Sequence, residues 1–229
     1  MGNSDYSERL SEAITQMVEV RGEKGVRADR HLEALSKLIR EIFVAEGFDP
    51  SDVRVKGDGR TKTLPGYYRP TKNWDLLVVE KDMLAASIEF KSQMGSVGKN
   101  INNRAEESLG SVTDAWEAHR AGRFGLIRPW FGYFLILGEE EGIYTPVGVN
   151  KTVFPVDQAF DRTSYVDRYV LLCKRYVERR AYDAACLIVS TGDPSDPIRE
   201  PDLEVGFDSF AAAIRERAKA LAALRTQLS

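Results

Sequence analysis

Two carboxylates and a lysine stand at the ends of two apolar segments that follow one another in the chain. Asp75 precedes the apolar residues 76–79, and Glu89 and Lys91 end the segment 85–91. Carboxylate oxygens are ligands that Mg²⁺ prefers, and a lysine beside such a metal can orient a water molecule or stabilise charge on a phosphate. These residue types therefore predict metal-assisted hydrolysis of a phosphodiester.

The spacing of these residues allows them to converge. Segments 74–80 and 85–91 are rich in β-forming residues and are joined by a short turn at 81–82, so we expect two neighbouring strands. Side chains two apart on a strand share a face, which places Glu89 and Lys91 together. The alternative interpretation is a solvated strand face with a Glu–Lys pair that contributes little to stability.

Basic residues flank these segments, although the chain as a whole has a net charge of −3. Between Arg54 and Lys72 there are six basic residues and a single acid, Asp58, and between Phe90 and Ala105 every charged residue is basic. A locally positive cleft can bind phosphates in an acidic protein because local potential matters more than net charge; scattered surface charges are the other interpretation. The candidates for phosphate contacts in the first stretch are Lys56, Arg60, Lys62, Arg69 and Lys72.

The composition is that of a soluble globular protein, with 229 residues, 43% apolar and 29% charged. We expect a single domain over residues 1–229, with a catalytic core over roughly 28–190 and a C-terminal helix over 206–228. No apolar run approaches the roughly 20 residues that span a bilayer, and the polar start does not resemble a secretory signal. These features predict a cytoplasmic protein.

Other chemistries lack the residues that they need. Cys173 and Cys186 lie in apolar surroundings and are expected to be free, buried thiols. His31 and His119 are far apart, so a zinc site is not expected. Gly98-Lys99 does not complete a phosphate-binding P-loop, because the required first glycine and the final Ser/Thr are missing.

Hydrophobic periodicity predicts an α/β fold. Helices are expected over residues 5–20, 28–46, 104–120, 163–180 and 207–228, and strands over 53–56, 74–80, 85–91, 130–137 and 184–190. The Gly-, Pro- and Asn-containing segments 57–71 and 92–103 are expected to be irregular loops. Strands interleaved with helices predict a sheet covered on both faces, and its hairpin-like start makes that sheet mixed.

Residues 73–116 resemble the XhoI family of type II restriction endonucleases. The resemblance is carried by Trp74-Asp75, by Ile88-Glu89-Phe90-Lys91-Ser92-Gln93, and by Gly98-Lys99-Asn100-Ile101-Asn102-Asn103-Arg104-Ala105-Glu106-Glu107-Ser108-Leu109-Gly110-Ser111. Asp75 with Glu89-Phe90-Lys91 is also similar to the PD-(D/E)xK nuclease core. Trp74 stands where that core has proline, a position that tolerates substitution in the superfamily.

The resemblance implies a restriction-endonuclease-like fold and a homodimer that cuts both strands of the palindrome CTCGAG with Mg²⁺. It implies that Asp75, Glu89 and the Phe90 carbonyl bind the metal, and that Lys91 positions or activates the attacking water. The products would carry 5′-phosphates and 3′-hydroxyls. A helical acid, Glu33 or Glu41, is a further candidate for a distant metal contact; solvation of these acids is the alternative.

The segment after Lys91 is the expected site of sequence readout. Arginine and lysine read guanine in the major groove, and asparagine and glutamine read adenine. Turn formation by the asparagines and phosphate contacts by the basic residues are the alternative. The candidates are Gln93, Lys99, Asn100, Asn102, Asn103 and Arg104.

Other functions remain open on the sequence. A repair or structure-selective nuclease would share Asp75, Glu89 and Lys91 but cut without a fixed palindrome. A DNA-binding module with a vestigial site is disfavoured by the intact triad, and a phosphoesterase for other substrates is disfavoured by the basic flanks. The C-terminal helix, with Ala211, Ala218 and Ala222, is expected to pack on its own core rather than to form the dimer surface.

Overall fold

A computed structural model describes residues 3–24, 32–55, 59–193 and 195–228. His31 and the first residues of the helix predicted over 28–46 lie outside the described residues. The elements in chain order are α1 (Asn3–Lys24), α2 (Glu33–Ala45), β1 (Val53–Arg54), β2 (Thr63–Pro65), β3 (Thr71–Asn73), β4 (Leu76–Glu80), β5 (Met83–Gln93), α3 (Val97–Arg120), β6 (Trp130–Gly138), α4 (Tyr165–Glu178), β7 (Ala184–Ser190) and α5 (Phe207–Leu228).

The central sheet is mixed, as the sequence predicts. Its five strands lie in the order β1-β4-β5-β6-β7. The pairs β1–β4 and β4–β5 are antiparallel, whereas β5–β6 and β6–β7 are parallel. Lys81 and Asp82 join β4 to β5 with φ values of 47° and 62°, the backbone that a tight two-residue hairpin turn requires.

Alternation along β5 divides the sheet into two unlike faces. Ile88 and Phe90 belong to a buried cluster that also contains side chains of α1, α2 and α5. The opposite face packs against α3 and α4 through a second cluster that includes Tyr133 and Leu135 of β6, the partners of Glu89 and Lys91 in the strand register. We call the first the apolar face and the second the polar face.

The last helix completes the apolar face. Phe207, Phe210 and Ile214 of α5 are buried in its cluster, as are Ala211 and Ala218. Ala211 and Ala218 therefore pack on the chain's own core, as expected, whereas Ala222 of the same helix is exposed. No helix in the described ranges is long and apolar enough to span a membrane.

The segment 57–71 is not wholly irregular, so that prediction is wrong in part. Its strand β2 pairs with β3 in an antiparallel hairpin outside the central sheet. Asp114 of α3 holds the tip, because its carboxylate accepts the backbone N–H groups of Tyr67 and Tyr68 at 2.9 and 2.7 Å and the Arg69 Nε–H at 2.8 Å. This carboxylate lies 45 residues from Arg69 in the chain, so local composition could not indicate the hairpin.

The loop predicted over 92–103 is also wrong, because α3 begins at Val97. Its first N–H groups are satisfied from a distance: Glu140 accepts the Ser96 N–H at 3.0 Å and the Val97 N–H at 2.8 Å. A carboxylate at this end of a helix satisfies unpaired donors and complements the helix dipole. The sequence before Val97 contains no acidic cap, so the early helix start was not predictable from local signals.

Candidate active site

Asp75 lies at the loop end of β4, immediately before the Leu76–Ile88 pair of the strand register. Its Oδ2 accepts the backbone N–H of Phe90 at 2.8 Å, which fixes the carboxylate against β5 beside Glu89. Burial, followed by the nearby negative charge of Glu89, raises the pKa of Asp75, while the Phe90 N–H and two lysines oppose that rise. The position therefore favours a nearby cation.

Glu89 is buried, with 1% of its surface exposed. Its Oε1 lies 2.9 Å from the Lys91 Nζ and 3.1 Å from the Lys72 Nζ. A charged carboxylate at such a depth requires partners of this kind, because desolvation of an unpaired charge is costly. The solvated strand face considered for the Glu–Lys pair is thus not what the structure contains.

Tyr182 holds the second oxygen of Glu89. Its buried hydroxyl lies 3.2 Å from Glu89 Oε2 and 2.9 Å from the carbonyl oxygen of Ser108. Both neighbours are acceptors and the hydroxyl has one proton, so it can donate to either. The Ser108 hydroxyl in turn bonds with that of Tyr176. Sequence reasoning missed Tyr182, which lies 93 residues from Glu89 and belongs to no recognisable motif.

Lys72 also belongs to the site, although the sequence suggested only a phosphate contact for it. Besides its ion pair with Glu89, its ammonium lies 4.9 Å from the centroid of the Trp74 ring. Trp74 is itself buried and stacks on Phe131 with the ring centroids 5.6 Å apart. Trp74 thus supports Lys72 in the site.

A third carboxylate lies at the outer side of Lys91. Glu107 of α3 approaches the Lys91 Nζ at 4.0 Å and the Arg104 NH1 at 3.2 Å. Its side chain is about half exposed, so these pairs are screened by water and individually weak. Among the described residues no group of three or more His, Cys, Asp or Glu is arranged to hold a metal, and Glu107 therefore reads as a partner of Lys91.

Glu33 and Glu41 do not join the site. They lie on α2, whose buried side chains belong to the apolar face. Glu33 pairs with Lys37, and Glu41 with Arg9. The distant metal contact considered for these acids is therefore wrong, because the sheet separates them from Asp75.

The basic residues predicted to hold phosphates have different surroundings. Arg60 bonds to the carbonyl oxygens of Ser51 and Pro50, and Arg69 is tied to Asp114, so both have structural roles. Lys62 is partly buried just before β2, and Lys56 lies outside the described residues. Among the members of this set that the structure describes, Lys72 is the one in contact with the catalytic candidates.

The candidates for sequence readout are spread over the end of β5 and the first turns of α3. Gln93 bonds to the Gly95 carbonyl and Asn100 to the Ser96 carbonyl, so their amides shape the connection into the helix. Three side chains project from exposed or partly exposed helical positions: Lys99, Asn102 and Asn103. Arg104 is held by Glu107 through both of its terminal nitrogens.

The donor set of the site fits Mg²⁺. The Glu89 carboxylate on β5 is buried and that of Asp75, immediately before β4, is partly buried, and the pKa of Asp75 is raised partly because Glu89 is near. Mg²⁺ is typically held by one or two carboxylates, with water and substrate phosphate completing its shell. Asp75 and Glu89 would hold the ion, and the Phe90 carbonyl between Glu89 and Lys91 is the further ligand that we propose.

A comparison of the sequence with protein-family models identifies a family for this chain. The model of the restriction endonuclease XhoI matches residues 16–197. The chain belongs to the XhoI restriction endonuclease family. The range that defines this membership contains Asp75, Glu89 and Lys91, together with Lys72 and Tyr182, which only the structure brings to the site.

Curated relatives of this XhoI-family chain are named type II restriction enzymes. BstVI of Geobacillus stearothermophilus is 47% identical over 135 residues, covering 56% of this chain and 60% of the relative. XhoI of Xanthomonas vasicola is 38% identical over 155 residues, covering 67% and 62%. AbrI of Azospirillum brasilense is 41% identical over 118 residues, covering 51% and 52%.

The matches thus span between about half and five eighths of each relative's length. No solved structure is significantly similar to this XhoI-family chain.

Proposed function

We propose that this chain is a type II restriction endonuclease that hydrolyses both strands of double-stranded DNA at a short palindrome. The observation that carries the proposal is the contact between the Lys91 Nζ and Glu89 Oε1 at 2.9 Å, beside Asp75 on the adjoining strand. Family membership and the names of the relatives support the same activity.

The residues of the site have distinct roles in this reaction. Asp75, Glu89 and the Phe90 carbonyl would hold Mg²⁺, and the ion would supply a Lewis acid for the scissile phosphate and would activate a water molecule. Lys91 lies where it can position or activate the attacking water. In-line displacement then leaves a 5′-phosphate and a 3′-hydroxyl.

The finer features of the proposal rest on resemblance to the family. We propose CTCGAG as the site and a homodimer as the active form, because cutting both strands of a palindrome calls for two copies of the site related by two-fold symmetry. We further propose that residues 1–229 act as a single cytoplasmic domain. Base contacts are assigned to the exposed side chains at the start of α3: Lys99, Asn102 and Asn103.

A repair or structure-selective nuclease is the second candidate, because it would use the same Asp75, Glu89 and Lys91. The two candidates differ in what they cut rather than in how. The residues of the active site therefore cannot distinguish the two candidate functions, whereas the end sequences of the cleaved DNA fragments can.

Digestion of phage DNA tests the choice. The protein is incubated with the DNA in Mg²⁺ or in EDTA, and the ends of the fragments are sequenced. We expect discrete ends within one palindrome in Mg²⁺ and intact DNA in EDTA. Ends without a common sequence would favour the structure-selective nuclease, and intact DNA in Mg²⁺ would contradict both.

A further inference from the structure

Two lysines share one oxygen of Glu89, although only one of them belongs to the Glu-x-Lys pattern. The Lys91 Nζ lies 2.9 Å and the Lys72 Nζ 3.1 Å from Glu89 Oε1. The Lys72 side chain is the more enclosed of the two, at 15% exposure against 25%. A chance surface contact would leave the side chain mostly in water, so Lys72 is part of the site's construction.

The ammonium group of Lys72 has a contact besides Glu89. The ammonium lies 4.9 Å from the Trp74 ring centroid, a distance at which the ring face attracts a cation. Trp74 is anchored by burial and by its stacking on Phe131. The aromatic face gives the ammonium a second favourable contact, which does not depend on Glu89.

The charges of the four groups balance in the absence of a metal. The carboxylates of Asp75 and Glu89 face the ammonium groups of Lys72 and Lys91. Two ammonium groups on Glu89 Oε1 therefore compete with a divalent cation for the same carboxylate, through both repulsion and occupancy.

Lys72 and Lys91 are not equivalent in how they are held. Lys91 extends from β5, which pairs with β4 and β6 inside the five-stranded sheet. Lys72 extends from β3, a three-residue strand of the separate β2–β3 hairpin. Of the two, Lys72 can leave Glu89 without disturbing the central sheet.

We propose that Lys72 is a second active-site lysine, which neutralises Glu89 in the free protein and moves to the scissile phosphate when a cation occupies the carboxylates. The proposal rests on the function proposed above. It adds that the Lys72 ammonium competes with the metal ion for Glu89 in the free protein. The same ammonium then contacts the scissile phosphate once the metal is bound. The test must distinguish this role from two others: a contact of Lys72 with the DNA backbone that serves binding alone, and a Lys72–Glu89 ion pair that serves stability alone.

The variant Lys72→Met keeps an unbranched apolar side chain of similar length and removes the charge. The first measurement is a calorimetric titration of Mg²⁺ into the DNA-free protein. Loss of one competing ion pair should tighten Mg²⁺ binding about tenfold, which corresponds to roughly 1.4 kcal/mol. Lys72→Arg should bind Mg²⁺ as the wild type does, and Lys37→Met, on α2 at the apolar face, should leave the affinity unchanged.

The second measurement is single-turnover cleavage at saturating Mg²⁺. We expect Lys72→Met to cleave about 100-fold more slowly, the order of effect seen when one charge-stabilising donor is lost. Lys72→Arg should recover part of the rate. DNA binding in Ca²⁺ should stay within about threefold of wild type, since a single phosphate contact contributes a small share of backbone affinity.

The results separate the possibilities. Unchanged or weaker Mg²⁺ binding by Lys72→Met would overturn the competition, and a cleavage rate within about threefold of wild type would overturn the role at the phosphate. A large loss of DNA binding by Lys72→Met with a normal cleavage rate would show that Lys72 contacts the DNA backbone and serves binding alone. If the wild type failed to cleave any DNA, the proposed function would fall with the phosphate role, while the DNA-free titration would still decide whether Lys72 competes for Glu89.

Discussion

The two faces of the central sheet are built from the same strands but differ in kind. On β5, Ile88 and Phe90 enter an apolar cluster with α1, α2 and α5. Glu89 and Lys91 alternate with these residues along β5 and so face the opposite side, towards α3 and α4. Tyr182, the Ser108 carbonyl and Lys72 lie around Glu89 there. Both faces contribute buried apolar clusters to the fold, but only the polar face also bears the groups that can do chemistry.

This difference has an energetic meaning. Burial of apolar side chains stabilises the fold with little demand on geometry, whereas a buried carboxylate is tolerated only while its partners remain in place. Substitutions on the apolar face should thus lower stability and spare the rate per folded molecule. Substitutions of the titratable side chains on the polar face should lower the rate more than they lower the stability.

Lys91→Ala should have the largest effect on rate. We expect cleavage in Mg²⁺ to fall by about 10³-fold or more, because the variant lacks the group that we propose positions the attacking water. DNA binding in Ca²⁺ should be retained, since Lys91 is one charge among many. Single-turnover assays and a binding titration measure the two quantities, and near-normal cleavage would remove Lys91 from the mechanism.

Asp75→Asn should abolish most activity and yet stabilise the metal-free protein. Burial raises the pKa of Asp75 above its ordinary value of 3.8, so the charged carboxylate destabilises the fold at pH values above the raised pKa. This penalty fades as the pH falls towards 3.8. The amide oxygen can still accept the Phe90 N–H. Thermal melting at pH 7 should show a higher midpoint than wild type, and a lower midpoint would contradict the cost assigned to the buried charge.

Phe210→Ala tests the apolar face. Phe210 is fully buried and contacts the rings of Trp130 and Phe134 at centroid distances of 5.8 and 5.5 Å. Its truncation should lower the free energy of unfolding by about 3–5 kcal/mol. Chemical denaturation measures this loss, and cleavage at a temperature where the variant is folded should match wild type. A folded but inactive variant would show that the two faces are not separable.

Tyr182→Phe should have a moderate effect on rate with little loss of stability. Removal of the hydroxyl frees Glu89 Oε2 from its donor, and groups that orient metal ligands typically contribute about 10- to 100-fold. Tyr176→Phe is the matched control, because its hydroxyl bonds to Ser108 and not to Glu89. Mg²⁺ affinity and single-turnover rate distinguish the variants. Equal behaviour of the two would indicate a structural role for Tyr182.

Arg104→Ala should have the smallest effect. Its guanidinium is already paired with Glu107 and is not among the proposed base contacts, so we expect discrimination at each base pair to stay within about 1 kcal/mol of wild type. Cleavage rates on a panel of duplexes with single substitutions measure this change. A uniform loss across all duplexes would instead identify Arg104 as a phosphate contact.

The sequence predicted the parts that rest on local periodicity. The mixed sheet, the order of its strands and helices along the chain, and the shared face of Glu89 and Lys91 follow from alternation and apolar stripes. The start of α3 and the β2–β3 hairpin were missed because their caps, Glu140 and Asp114, come from distant parts of the chain.

The same reason explains what sequence reasoning missed in the site. Tyr182 and Lys72 meet Glu89 only through tertiary packing. The basic residues of 54–72 looked equivalent in the sequence, yet Arg60 and Arg69 bond to the protein's own backbone and carboxylates, while Lys72 reaches the site. Charge clusters predict an electrostatic surface, but only the fold shows which charges are already paired.

The central claim is tested most directly on two short duplexes that differ by one base pair, one of them containing CTCGAG. The wild-type protein in Mg²⁺ should cut both strands of the CTCGAG duplex and leave 5′-phosphates, and it should leave the second duplex intact. Lys91→Ala should cut neither. Equal cleavage of both duplexes by the wild type, or cleavage that persists in Lys91→Ala, would contradict a site-specific nuclease built on the polar face.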